Sequence, residues 1–228
     1  MKNIFITGGN RGIGKGLVEI FSKENKVFFS ARDEQKASSV VSSIGNRNID
    51  YVTMDVGVDD SVLKGIEMLK EKTSSIDILI NNAGILIPGL KHKIDAVNTD
   101  NESILKTFNI NTVGVLRVCK AVLPIMPVSS RIINISSGMG QMEDMATGSI
   151  AYRLSKSALN ALTIVLSKEL LSKDIKVNAI CPGWVQTDMG GYDATLTIKE
   201  SVESIKRFAL SDKFPNGKFL RHGEILPW

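Results

Sequence analysis

Lys2-Asn-Ile-Phe-Ile-Thr7-Gly-Gly-Asn-Arg-Gly12-Ile-Gly14-Lys-Gly-Leu-Val-Glu-Ile-Phe21 decides the architecture. A short apolar run, a cluster of glycines and a segment with helical periodicity follow one another without a break, so the order is strand, tight turn, helix. Glycines at such a junction let the backbone come close to a pyrophosphate, which the N–H groups and dipole at the helix start then hold. Gly8, Asn10, Arg11, Gly12, Ile13 and Gly14 are therefore candidate cofactor contacts. The spacing G-x-x-x-G-x-G departs from the commoner dinucleotide pattern G-x-G-x-x-G, and a ligand-free turn would look similar.

The same alternation continues outward from this unit. Strands are expected at Lys26–Ala31, Asp50–Met54, Ser75–Ile80, Ser130–Ile135 and Ile175–Ile180, with a short last one near Lys218-Phe219. Helices are expected over Glu34–Ile44, from near Asp59, over Thr99–Ile125, from Ile150 through Leu170, and over Ile198–Leu210. Strands and helices in strict alternation predict an α/β fold, a Rossmann-type doubly wound parallel sheet of about seven strands with helices on both faces. At 228 residues the chain fits a single domain spanning 1–228.

Composition narrows the function classes. Hydrophobic residues make up 43% and charged ones 23%, as in an ordinary globular protein. No apolar run reads as long enough to span a bilayer, and no basic-then-apolar leader is seen, so a cytoplasmic protein without membrane attachment is expected. The net charge of +4 comes from Lys and Arg scattered among Asp and Glu, which gives no basic footprint for nucleic acid. Cys119 and Cys181 are too few for a disulfide framework and read as buried thiols. His92 and His222 are isolated, so His and Cys build no metal site.

In this architecture ligands bind outside the carboxyl ends of the strands, and the polar residues of interest cluster there. The second strand ends in Ala31-Arg32, where an enzyme using NAD would carry a carboxylate for the ribose 2′-hydroxyl; Asp33 starts the next helix instead. Arg32, with Arg11 in the glycine loop, favours a 2′-phosphate and hence NADP(H). Asp55-Val56 follow the third strand, and Asp55 either contacts an adenine or caps the helix near Asp59. Asn82-Ala83-Gly84 close the fourth strand with small residues against which a ring can lie. The loop Ile85–Val97 borders the crevice. Asn111 is a polar intrusion in a helix, and Ser136-Ser137 end the fifth strand. Tyr152 and Lys156, four apart, converge on one helix face, where the ammonium can lower the phenol's pKa. Pro182, Gly183, Val185 and Thr187 follow the sixth strand.

Together these motifs resemble the short-chain dehydrogenase/reductase family over Lys2 to Trp228. Pro182-Gly-Trp-Val-Gln-Thr-Asp-Met189 and Gly223-Glu-Ile-Leu-Pro-Trp228 are similar to its carbonyl-reductase-like branch, which includes C-factor-like and sniffer-like proteins. The resemblance implies hydride transfer from NADPH to the carbonyl of an aldehyde or ketone, the small-molecule partner. Asn111, Ser137, Tyr152 and Lys156 match the catalytic tetrad: Tyr152 as general acid, Ser137 on the carbonyl oxygen, Lys156 on the nicotinamide ribose, Asn111 holding a relay water. Asp55 matches the adenine contact. A homodimer or homotetramer is implied as well. The alternative class is a C-factor-type cofactor-binding signalling protein with little turnover, against which the intact tetrad argues.

Two departures stand out. Ser137 precedes Tyr152 by fifteen residues where the family usually has thirteen, which implies a two-residue insertion after Gly138 and leaves Ser136 as the alternative. Only about ten residues separate Met189 from the last helix, which implies an open site. Leu86–Leu90, Met139–Met142, Trp184 and Met189 are the expected pocket wall.

Overall fold

The computed structural model describes residues 1–87 and 95–228. Its centre is an eight-stranded sheet in the order β3-β2-β1-β4-β5-β6-β7-β8. The strands are β1 (Asn3–Ile6), β2 (Lys26–Ala31), β3 (Ile49–Thr53), β4 (Ile78–Asn81), β5 (Arg131–Ile135), β6 (Lys176–Ile180), β7 (Phe219–Arg221) and β8 (Glu224–Leu226). All neighbours pair parallel except β7 with β8, which are antiparallel. The expected doubly wound sheet is present with one strand more than the seven anticipated. The extra strand is β8, three residues that return from β7 through the turn at His222-Gly223.

Successive strand residues point to opposite faces, and the core divides accordingly. Phe5, Phe28, Leu79, Ile132 and Val177 face one side. There they meet Val62, Ile66 and Leu69 of α3 (Asp59–Lys72), Val115, Val118, Cys119 and Val122 of α5 (Gly114–Val122), and Leu159 and Leu166 of α6 (Ile150–Glu169). Ile4, Ile6, Val27, Phe29, Ile78, Ile80 and Ile133 face the other side. They pack on Leu17, Val18 and Phe21 of α1 (Gly12–Ser22), Ala37 and Val40 of α2 (Glu34–Ile44), and Val202, Ile205 and Ala209 of α7 (Ile198–Ala209). Each large side chain so buried is worth about 1.5–3 kcal/mol, which is why a sheet covered on both faces reads as near-continuous apolar runs.

The expected helix over Thr99–Ile125 is a composite: α4 (Asn101–Phe108), a π turn at Asn109–Val113, α5, and a 3₁₀ turn at Leu123–Ile125. This 25-residue stretch has the length and apolarity to cross a membrane, contrary to the sequence expectation that no run would. In the fold its α5 part lies in the core.

Helix starts follow local chemistry. Asp33, Asp100 and Thr197 accept from backbone N–H groups at the starts of α2, α4 and α7, the last in a reciprocal capping box with Glu200. The cap position of α1 is Arg11, whose side chain makes no capping bond, and its first turn carries no acid. The amino end of α1 is thus left open toward the sheet edge.

Candidate active site

The strand order reverses between β1 and β4, and the two strand ends are stitched together there. Thr7 Oγ1 accepts from the N–H groups of Asn82 and Ala83, both at 3.0 Å, while Asn82 Nδ2 donates to the carbonyls of Thr7 and Gly8 at 3.0 and 3.1 Å. Above this seam the glycine loop folds tightly. Gly8 and Gly12 have φ of +70° and +52°, in the left-handed region that favours glycine. A Cβ on Gly14 would stand 2.1 Å from the Gly8 carbonyl oxygen.

A cleft of about 890 Å³ runs along this edge of the sheet, a size that accommodates a dinucleotide and a small substrate. It gathers the candidates strand by strand: Gly8, Asn10, Arg11, Gly12, Ile13 and Gly14 after β1; Arg32 after β2; Asp55 and Val56 after β3; Asn82, Ala83 and Gly84 after β4; Ser137 after β5; Pro182, Gly183, Val185 and Thr187 after β6; and Tyr152 with Lys156 from α6. Of the expected wall, Leu86, Met139, Trp184 and Met189 line the cleft, and Ile87 and Gly140 to Met142 do not; residues 88–90 lie outside the described residues.

Asn111 lies behind the cleft, fully buried. Its Oδ1 accepts from the Ile85 N–H at 2.8 Å, and its Nδ2 donates to the Ile85 carbonyl at 2.9 Å and to Ser155 Oγ at 3.0 Å. The π turn delivers it there: one extra residue per turn swings a polar side chain inward where an α-helical register would not. Asn111 thereby fixes the backbone that leaves β4 for the cleft.

Two serines competed for one position, and the geometry separates them. Both border the cleft, but the Ser136 hydroxyl is spent on Asn160 Oδ1, to which it donates at 2.6 Å, whereas the Ser137 hydroxyl acts on the Tyr152 phenol, lowering its pKa. The inserted loop after Gly138 is anchored by Arg153, 8% exposed, which donates to the carbonyls of Gly148, Met139 and Thr147.

Tyr152 and Lys156 line the cleft and are both buried. Burial pushes the Tyr152 phenol up to about 12, opposed by the Ser137 hydrogen bond, and pushes the Lys156 ammonium down to about 8. Lys156 Nζ donates to the Ile135 carbonyl at 2.7 Å and sits 5.6 Å from the centroid of the Tyr152 ring. The expectation that the ammonium lowers the phenol's pKa is therefore corrected: desolvation dominates both groups, and the cation stands over the ring.

The charged groups at the adenosine end also differ from expectation. Arg11 is paired with Asp188 at 2.9 Å, both largely exposed, so Arg32 alone stands at the end of β2, 4.0 Å from Asp55. Asp55 accepts from the Gly57 N–H at 2.8 Å and does not cap α3, whose cap residue is Val58. Cys181, Leu196, Arg221 and His222 also line the cleft. Sequence reading missed them as site residues; for Cys181 the signal was its place immediately before Pro182-Gly183.

The residues fit a dinucleotide. The uncapped amino end of α1, the glycine cradle beside it and the absence of acid in the first turn suit a pyrophosphate, and Arg32 suits an added phosphate.

Comparison with known proteins agrees with this geometry. The family model described as short chain dehydrogenase matches residues 2–195. Oxidoreductase UcpA of Salmonella typhimurium is 36% identical over 209 residues, covering 90% of this chain and 77% of that protein. The carbonyl reductase Sniffer of D. melanogaster superposes with a TM-score of 0.88 at 31% identity, covering 100% of both chains. An NADPH-bound carbonyl reductase from chicken fatty liver superposes with a TM-score of 0.89 at 29% identity, covering 100% of this chain and 99% of the other. Because the matched segment carries every strand from β1 to β6 together with the glycine loop, Ser137, Tyr152 and Lys156, the chain belongs to the short-chain dehydrogenase/reductase family, in its carbonyl-reductase-like branch.

Proposed function

We propose that the chain is an NADPH-dependent reductase of aldehydes or ketones in which Tyr152 is the general acid. The observation that carries this is that Ser137, Tyr152 and buried Lys156 line one cleft continuous with the glycine loop. NADPH, when bound, supplies the hydride that reaches the carbonyl carbon. Ser137 and Tyr152 hold the carbonyl oxygen between two hydroxyls, and as negative charge grows on that oxygen the Tyr152 O–H gives it the proton. A phenol held near 12 stays protonated throughout the neutral range, so it is a ready donor in the reducing direction. Lys156, its ammonium buried and fixed on the Ile135 carbonyl, offers its remaining donors to the cofactor ribose and places positive charge near the phenolate that results. Asn111 holds the Ile85 backbone in place and thereby shapes the wall facing Tyr152. The chicken liver relative with bound NADPH supports the cofactor choice, as does Arg32.

The test is a screen of NADPH oxidation against aldehydes, ketones and quinones with wild type and Tyr152→Phe. The variant is expected to keep NADPH affinity and to lose turnover by at least about 100-fold, the usual contribution of positioned acid catalysis. Retention of more than about a tenth of turnover would remove Tyr152 as the acid. No oxidation of NADPH with any carbonyl would favour a binding protein of C-factor type instead.

A further inference from the structure

The cleft is an ordered series of strand ends, with Arg32 after β2 toward one end and Arg221, the last residue of β7, toward the other. Between β5, which delivers Ser137, and β7 lie two strand spacings, or about 10 Å. The Arg221 side chain spans that interval inward. Its Nε donates to Cys181 Sγ at 3.3 Å, and Cys181 Sγ in turn accepts from the Gly138 N–H at 3.2 Å. Its Nη2 reaches Gly138 so closely that a Cβ there would meet it at 2.2 Å. The guanidinium therefore sits one residue from Ser137, at the end of the cleft opposite the adenosine site.

Its valences are mostly unspent. A guanidinium has five N–H donors in a planar fork, and among the described residues Arg221 uses one, toward a weak sulfur acceptor. No described carboxylate lies within 4.0 Å of it, and residues 88–94 contain no Asp or Glu. Glu224, its register partner across the β7–β8 hairpin, makes no ion pair with it. Met139, Trp184 and Leu196 line the same cleft, so the half-buried cation shares it with apolar side chains. Such a group is costly to desolvate alone and matches a carboxylate bidentately.

We propose that Arg221 is a specificity-determining residue that selects carbonyl substrates bearing a carboxylate, holding that anion beyond Ser137 while the carbonyl lies against Tyr152. The inference rests on the reductase reading above for its chemistry. The residue positions the substrate; the hydride and proton go where that reading sends them.

The experiment compares kcat/KM for 4-formylbenzoate and its methyl ester with NADPH in wild type, Arg221→Gln and Arg221→Lys. The acid is expected to exceed the ester at least tenfold in wild type, the acid-to-ester ratio to fall at least tenfold in Arg221→Gln, and Arg221→Lys to lie between them, since a point charge replaces the fork. A wild-type ratio near one, or equal losses for acid and ester, overturns the inference and leaves the reductase reading standing. Should a variant fail to fold, the wild-type ratio decides. Should neither compound be reduced, calorimetric titration of 4-formylbenzoate into the NADP⁺-saturated protein decides: binding that weakens tenfold in Arg221→Gln upholds the carboxylate site although the reductase reading fails, and binding unchanged or absent overturns it.

Discussion

Cofactor choice can be worked through from the charges at the adenosine end. Arg32 is expected to read the 2′-phosphate, and its side chain is 66% exposed with Asp55 at 4.0 Å. A charge-assisted hydrogen bond contributes about 1.5–3 kcal/mol. Exposure and the neighbouring carboxylate hold Arg32 to the low end, about 1.4 kcal/mol, or tenfold in favour of NADPH over NADH. Ala31→Asp would introduce a carboxylate that repels a phosphate and accepts from a free 2′-hydroxyl, a second term of similar size. The double variant Ala31→Asp/Arg32→Ile should therefore move the NADPH-to-NADH ratio of kcat/KM by about 100-fold toward NADH. Arg11 must leave Asp188, 2.9 Å away, to serve the same phosphate. Exchanging one anion for another gains little, so Arg11→Ala should shift the ratio by less than about threefold. Steady-state kinetics at fixed ionic strength with both cofactors measures all of this. Equal use of NADPH and NADH by wild type, or no shift in the double variant, would refute the reasoning. A larger shift for Arg11→Ala than for Arg32→Ile would move the phosphate contact to the glycine loop.

Three further outcomes are expected. Ser137→Ala should lower kcat by about 100-fold with little change in melting temperature, while Ser136→Ala, which strips the donor from buried Asn160, should cost about 1–3 kcal/mol of stability in denaturant titrations and spare kcat. Lys156 has a lower pKa folded, about 8, than its ordinary 10.5, so the unfolded chain binds more protons between those values and wild type should gain stability over Lys156→Met by about 3 kcal/mol as pH rises through that window. Tyr152, raised to about 12, works in the opposite sense only above its ordinary 10; a difference that is flat with pH up to 10 would refute the burial account of Lys156. The outward apolar residues Leu105, Phe108, Leu154 and Val165 on α4 and α6 are expected to pair subunits, and sedimentation showing only a species near 24.8 kDa at micromolar concentration would exclude this.

The sequence made legible those elements whose periodicity is long and whose two faces differ. β2 and α2 have the expected bounds, and α7 differs by one residue, because each carries a clean apolar pattern closed by Asp33, Gly45 or Thr197. β8 escaped notice because three residues, two of them exposed, carry no period. The π turn escaped because an extra residue per turn leaves no mark on a pattern already interrupted by Asn109 and Asn111. The glycine loop and the Tyr152–Lys156 pair were readable as short local motifs. The pairing of Arg11 with Asp188 and the approach of Arg221 to Gly138 join residues far apart in the chain, and only the packed sheet edge brings them together.

The π turn at Asn109–Val113 also acts as a phase shifter. Each helical residue turns the chain by about 100°, so removing one residue to restore a regular helix would rotate everything on one side of the break by nearly a third of a revolution. With α5 clamped in the core by Val118 and Val122, that rotation would fall on α4, carrying Leu105 and Phe108 to a new azimuth. With α4 clamped instead, Asn111 would leave Ile85. The outer surface of α4 and the backbone lining the cleft are thus gears on one shaft: neither can change its angular setting without resetting the other.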